Sequence, residues 1–235
     1  MADSWFGFAG RDHFWVKRRF ELIVWVGRQF FKKTKKYLDI GCGEGVFQSM
    51  MYSKLGLNVD GCDLNIKYLE KNNAPGKLYY YDIFDNSRKF KSRYDFIFIL
   101  DVLEHVKNDL QFIQCAKNML KKGGYILINV PAFNSLYSKY DSVAGHQKRY
   151  NCGEIIKLCT ASQLKMKKMT YWGSTFIPIL ILRKILLMFV ANKNVIRVGF
   201  ESKNSIINRL LFWLIRLEIT PNPYFGTSFL CLLKK

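Results

Sequence analysis

Acidic side chains are scarce. Eighteen Asp and Glu stand against 37 Lys and Arg, for a formal net charge of +19. The six cysteines form no CxxC pair and no ligand spacing, and a 235-residue chain needs no disulfide staples. They read as reduced thiols, mostly buried, in a cytoplasmic protein. No repeat of about 20–50 residues is visible, which argues against a solenoid. A clean apolar run of about 20 residues is also missing. Residues 22–31 are short and carry Arg28. Residues 176–191 carry Arg183 and Lys184 at their middle, where charge is costly in hydrocarbon. Neither stretch is expected to cross a bilayer, and either can lie in an interface. The start, Met-Ala-Asp-Ser-Trp, has no basic segment followed by an apolar one, so no signal peptide is expected.

What is present suits a packed core. Apolar residues make up 49% of the chain and charged residues 23%, which excludes a disordered chain. The basic excess is uneven. Residues 1–150 hold 24 basic and 15 acidic side chains, a net of +9; residues 151–235 hold 13 and 3, a net of +10. That last third is also rich in Leu, Ile and Phe. A basic, apolar surface fits an anionic membrane face, so a peripheral position at the inner face of the membrane is one expectation. Nucleic acid is attracted by the same field.

Strand and helix patterns alternate along the chain. Residues 12–31 read as a leading helix. Strands are expected at 37–40, 58–62, 77–81, 94–100, 125–130, 164–172 and 225–233. Helices are expected at 45–55, 66–71, 109–120, 153–160, 176–190 and 206–217, with Lys121-Lys122-Gly123-Gly124 ending the third of these. Residues 132–150 are polar and long enough for a functional loop or lid. The alternation predicts an α/β fold with a mostly parallel, doubly wound sheet. Its ligand should lie beyond the strand C-ends, at the switch point. Four segments follow: an N-terminal helical arm over 1–36, a cofactor-binding core over 37–173, a basic apolar helical cap over 174–224, and a closing strand of the core sheet over 225–235.

The chemistry concentrates at Leu38-Asp39-Ile40-Gly41-Cys42-Gly43-Glu44-Gly45. This is strand, Gly-rich turn and helix start, and the glycines let the backbone touch a ligand. Asp63 comes eighteen residues after Gly45, at the end of the next strand, where a carboxylate can accept both hydroxyls of a ribose. Asp82 ends the third strand and can accept from an adenine amino group. Asp39 can face an ammonium group, directly or through water. A pyrophosphate would not favour a carboxylate beside it, so a zwitterionic amino-acid ligand is favoured here.

On YLDIGCGEG, GCDLN, YYYDIF, YDFIFILDVLEHV and LKKGGYILINVPA, the chain resembles the class I S-adenosylmethionine-dependent methyltransferases over residues 13–235. It is most similar to the small-molecule type-11/type-12 group, among the quinone O-methyltransferases and those of bacterial glycan pathways. HFWVKRR, GHQKRYN and PYFGTSFLCLLKK echo the glycan-associated set. The resemblance implies a Rossmann-like seven-stranded sheet, mostly parallel with an antiparallel last strand, plus an N-terminal helix and a helical C-terminal insertion. It implies S-adenosyl-L-methionine as cofactor. Asp39 and Gly41 would hold its methionine end, Gly43 and Gly45 would allow close approach, and Asp63 would hold the ribose. Leu64, Asp82 and Ile83 would border the adenine. Leu100 and Asp101 would lie against the cofactor, and Arg19 would reach its carboxylate. The family usually has an aromatic at Val16 and an Arg at Lys17.

An acceptor hydroxyl benefits from a base near neutral pH, and His suits that role. His105 follows the fourth strand and His146 lies in the loop; both are candidate bases. Arg149, Tyr150 and Tyr137 are candidate substrate contacts, Arg149 for a carboxylate or phosphate. No His/carboxylate cluster with ligand spacing is visible, so a metal-free reaction is expected. The expected activity is methyl transfer, at oxygen, to a small-molecule, glycan or lipid-linked acceptor. One alternative is an RNA or DNA methyltransferase, invited by the charge. Base-amino methylation is associated with a D/N-P-P-Y segment after the fourth strand, where this chain has Leu100-Asp101-Val102-Leu103, and no separate RNA-binding module is visible. A nicotinamide oxidoreductase is disfavoured by the loop spacing and by Asp39. A non-catalytic cofactor-binding partner subunit is the remaining alternative.

Overall fold

Strand and helix alternate as the pattern predicts. In the computed structural model the order is α1 (Phe14–Gly27), β1 (Tyr37–Ile40), α2 (Val46–Leu55), β2 (Val59–Asp63), α3 (Ile66–Lys71), β3 (Leu78–Tyr80) and β4 (Tyr94–Leu100). It continues with α4 (Asp109–Met119), β5 (Leu120–Pro131), α5 (Lys139–Ala144), α6 (Cys152–Ala161) and β6 (Lys165–Trp172). The helices α7 (Ile177–Leu187) and α8 (Ser205–Arg216) precede β7 (Ser228–Lys234). The structure describes residues 11–192, 194–195, 205–218 and 220–235. The chain start that was read for a signal peptide, and part of the expected cap, lie outside the described residues.

The described strands form one seven-stranded sheet in the order β3-β2-β1-β4-β5-β7-β6. Pairings from β3 through β5 are parallel, and β7 runs antiparallel between β5 and β6. The apolar run of β4 explains its central place between β1 and β5. Phe96, Ile97, Phe98 and Ile99 are all fully buried, and each such side chain contributes about 1.5–3 kcal/mol. Neighbouring residues of that strand feed opposite faces. Ile97 and Ile99 pack with Phe112, Ile113, Ala116 and Ile155 of α4 and α6. Phe96 and Phe98 pack with Phe20, Ile23 and Val26 of α1 and with Phe47 of α2. Helices therefore cover both faces, as a doubly wound sheet requires.

Helix ends follow local chemistry. His13, the third histidine, caps α1: its ring accepts from Trp15 N at 3.3 Å. The boundary between α4 and β5 differs from the sequence expectation. Lys121-Lys122-Gly123-Gly124 does not cap α4 as a loop. It belongs to β5, which begins at Leu120 and reaches β4 through an irregular register between Tyr94 and Phe96. The expected loop 132–150 contains α5, closed by a capping box between Ser138 and Asp141.

Candidate functional site

The C-terminal ends of β1, β2 and β4 carry residues expected at the cofactor. Gly41 turns with φ +77°, and a Cβ there would come within 2.5 Å of the Val102 side chain, so glycine is required. Gly45 opens α2 in the left-handed region and lies tight against the Asn72 amide. Asp63 ties the turn to β2. Its Oδ2 accepts from Gly43 N at 2.9 Å and its Oδ1 from Asn65 N at 2.8 Å. A carboxylate has about four lone-pair sites, so acceptor capacity remains for a ribose. Two residues that sequence reading missed brace the turn from behind. Asn72 donates to Gly43 O at 3.2 Å and to Gln48 Oε1 at 2.8 Å, and Gln48 donates to Val59 O at 2.7 Å. Nothing in their spacing signals this.

Asp39 is buried beside this turn. Burial pushes its carboxyl up to about 8, the Arg19 charge opposes that, and the Asp63 charge adds to it. A carboxyl in such a place gains from an incoming ammonium group. Leu64 is 61% exposed just past β2, and Leu100 is nearly buried at the end of β4. Asp82 accepts from Phe84 N at 2.9 Å and caps the turn that contains buried Ile83. Arg19 and Asp101 meet as an ion pair. Asp101 also accepts from Asn129 Nδ2 at 2.5 Å, and Asn129 accepts from Trp172 Nε1 at 2.9 Å. Asp101 and Phe133, at the ends of β4 and β5, are non-glycine residues at φ +56° and +58°. Such strain costs of order 1–3 kcal/mol and gathers at functional sites.

Beyond these ends the two histidines come together. Their ring centroids are 4.8 Å apart at an edge-on 80°. His105 Nδ1 lies 3.2 Å from Gly145 O, and His146 Nδ1 lies 2.9 Å from Asp141 Oδ1. Each acceptor takes a hydrogen from Nδ1 and leaves Nε2 as the second ring nitrogen. Burial, then the neighbouring His146, pull His105 down to about 4, so its ring is neutral near pH 7. Asp141 is fully buried. Burial alone would raise it, but the His146 hydrogen bond and the Arg149 charge outweigh that and hold it at about 2.

Two of the expected substrate contacts are corrected. Arg149 is buried and grips Asp141 bidentately, Nε to Oδ1 at 2.8 Å and Nη2 to Oδ2 at 3.1 Å. It is a strut inside the loop, because the only way to bury that guanidinium is to pair it. Tyr150 is fully buried, and its hydroxyl donates to Leu103 O at 3.1 Å or Asp109 Oδ2 at 3.2 Å, which makes it a core residue. Tyr137 stays at the loop and donates to His146 O at 2.8 Å.

Glu104 was not singled out in the sequence. Its side chain is buried, and Oε2 has no hydrogen-bond partner among the described residues. Burial, then the Asp101 charge, push it well above the usual carboxylate range. Glu104, His105 and His146 each bring one ligand atom to within 4.8 Å of the others. The expectation of no His/carboxylate cluster is thereby corrected: Glu104 and His105 meet His146, 42 and 41 residues on in sequence, through loop folding. Ligand atoms around one ion sit closer, about 3–3.5 Å apart at bonds of about 2.1 Å, so the cluster would have to contract to hold one.

A doubly wound sheet with strand order 3-2-1-4-5-7-6, a glycine turn after the first strand and an acid ending the second defines the class of S-adenosylmethionine-dependent methyltransferases. The family model described as "Methyltransferase domain" matches residues 14–168. The chain belongs to that family, and its cofactor is S-adenosylmethionine. It is similar to the ubiquinone biosynthesis O-methyltransferase of Hydrogenovibrio crunogenus, 29% identical over 151 residues, 60% of each chain. The protein of the same name from Shewanella pealeana is 27% identical over 166 residues, 62% of this chain and 69% of the other. The match thus spans about three-fifths of the first relative's length. A solved SAM-dependent methyltransferase from Archaeoglobus fulgidus shares the fold, with TM-score 0.62, 17% identity, and coverage of 97% of this chain and 95% of that one.

Proposed function

We propose that the protein methylates a hydroxyl of a small-molecule, glycan or lipid-linked acceptor, with His146 as the base. The observation that carries this reading is the Asp141–His146 contact at 2.9 Å, in a loop that folds onto the C-terminal end of β4. S-adenosylmethionine supplies a methyl group already activated on a sulfonium, so the protein's task is placement and proton removal. The Asp39, Gly41–Gly45 and Asp63 turn fits the group by its donor set: a buried carboxyl for an ammonium, close backbone, and a carboxylate for vicinal hydroxyls. Asp141 holds His146 with Nε2 presented, in the manner of a carboxylate-oriented general base. His146 takes the acceptor's proton as the oxygen forms its bond to carbon and the carbon–sulfur bond breaks. His105, neutral beside it, donates from Nδ1 to Gly145 O and shapes the pocket. The quinone-pathway names of the relatives support oxygen as the acceptor atom.

The experiment is methyl transfer from labelled cofactor to a metabolite extract, read by mass spectrometry, at saturating cofactor. His146→Ala should lower kcat by about 10²–10⁴-fold, and His105→Ala by less. A His146→Ala enzyme with unchanged turnover would refute the base assignment.

A further inference from the structure

The two helices between β6 and β7 display apolar side chains where a water-facing helix displays charge. On and just past α7, Leu182, Ile185, Leu186 and Phe189 are exposed, Phe189 by 85%. Their spacing of i, i+3, i+4 and i+7 places them on one stripe. The helix's two cations occupy the opposite stripe and turn inward. Arg183 lies over the Tyr140 ring at 4.4 Å, and Lys184 donates to Ser135 O at 2.9 Å. This is the reverse of an amphipathic surface helix. On α8 and just beyond it, Ile206, Leu210, Trp213 and Leu217 are likewise exposed, with Arg209 exposed among them. Ile215, on the other side of that helix, is fully buried. Both helices pack on the Ser174–Phe176 turn at the end of β6.

Charge says what covers this face. Arg209 and Arg216 of α8 are exposed beside its apolar stripe, and in sequence residues 174–217 hold seven Lys and Arg against one Glu. A second copy of the chain would bring two such surfaces together and set like charges opposed. An anionic lipid surface satisfies both features at once: headgroup phosphates for Arg209 and Arg216, acyl boundary for the apolar stripes. Trp213 is of the type that favours the membrane–water interface. Among the described residues no helix is long and apolar enough to cross a membrane.

We propose that α7 and α8 seat on an anionic lipid bilayer, lying in its interface. The inward face of α7 bears on the same loop that carries His146: Leu187 packs with Tyr140 and Ala144, and Lys139 donates to Val190 O at 2.6 Å. Docking therefore brings the reacting loop to the bilayer. In a consequence that rests on the methyl-transfer reading, the acceptor would be one with a lipid tail, drawn from the membrane.

Vesicle co-sedimentation of the full chain tests the docking without any methyl transfer. The probes are phosphatidylcholine vesicles and mixed phosphatidylcholine–phosphatidylglycerol vesicles, each at low and raised salt. Partitioning onto mixed vesicles at low salt is expected, weaker by about tenfold or more on phosphatidylcholine alone and reduced by salt. The paired substitutions Leu186→Ser with Phe189→Ser, and Leu210→Ser with Trp213→Ser, should each cut partitioning by about tenfold or more. S-adenosylhomocysteine affinity should stay unchanged in both, which shows that they fold. Equal partitioning of variants and wild type would overturn the proposal. So would absent wild-type binding at low salt, or a dimer that these substitutions break and no vesicle binding. A vesicle-binding protein with no methyltransferase activity would leave the docking standing and remove only the activity reading.

Discussion

The proposed cofactor end and the proposed acceptor end of the site are built by opposite means. At the cofactor end, Asp39, Gly41, Gly43 and Asp63 sit at the ends of adjacent parallel strands, and backbone hydrogen bonds such as Gly41 N to Cys62 O at 2.8 Å lock them to the sheet. At the acceptor end, Glu104 and His105 meet residues 141–149 only because a loop folds back. Gln147 N donates to Glu104 O at 2.7 Å, and buried Asp141 ties His146 to Arg149. The first end is held by the sheet ladder, the second by one buried carboxylate. Changes at one end should therefore leave the other intact.

The largest expected effect is at Asp141. Asp141→Asn strands the Arg149 guanidinium without its counter-charge and should cost about 3–5 kcal/mol in urea unfolding. A loss below about 1 kcal/mol would show that the loop does not depend on this pair. The same carboxylate sets an acid limb. Its ordinary value is 3.8 and the fold holds it at about 2, so it contributes about 2 kcal/mol of stability. The sign is that of a depressed acid: the contribution is complete above about pH 4–5 and is lost as pH falls toward 2. Asp141→Asn should flatten that limb in a pH series of unfolding midpoints, while S-adenosylhomocysteine affinity at pH 7 stays within about twofold of wild type.

The smaller effect belongs to the cofactor end. Asp39, pushed up to about 8 by burial, is mostly protonated at pH 7 in the free protein. An ammonium group arriving beside it restores the charged form, so binding should release close to one proton. Calorimetry of S-adenosylhomocysteine in two buffers of different ionisation enthalpy reads this directly. Identical enthalpies in both buffers would place Asp39 away from the ligand's ammonium.

The same contrast explains what was legible in the sequence. The alternation of strands and helices and the Asp39–Gly45 turn were readable, because each depends on neighbours a few residues away. The run YDFIFIL announced its central place by being apolar at nearly every position. The Lys121–Gly124 stretch misled, since cations and glycines after a helix also fit a strand that starts early through a bulge. Arg149 and Tyr150 have the residue types of a pocket, but the loop turns them inward onto Asp141, Leu103 and Asp109. Asn72 and Glu104 gave no signal at all, because partners such as Gln48, Gly43 and His146 lie 24–42 residues away and become neighbours only in the folded chain.

The central claim is that the turn after β1 and the acid ending β2 cradle the nucleoside of S-adenosylmethionine. Its most direct test is calorimetry of S-adenosylhomocysteine with wild type and Asp63→Ala. Wild type should bind, and the substitution should weaken binding by about 1.5–3 kcal/mol, the loss of hydrogen bonds to a charged group. Equal affinity in the two proteins, or no binding by wild type, would contradict the account.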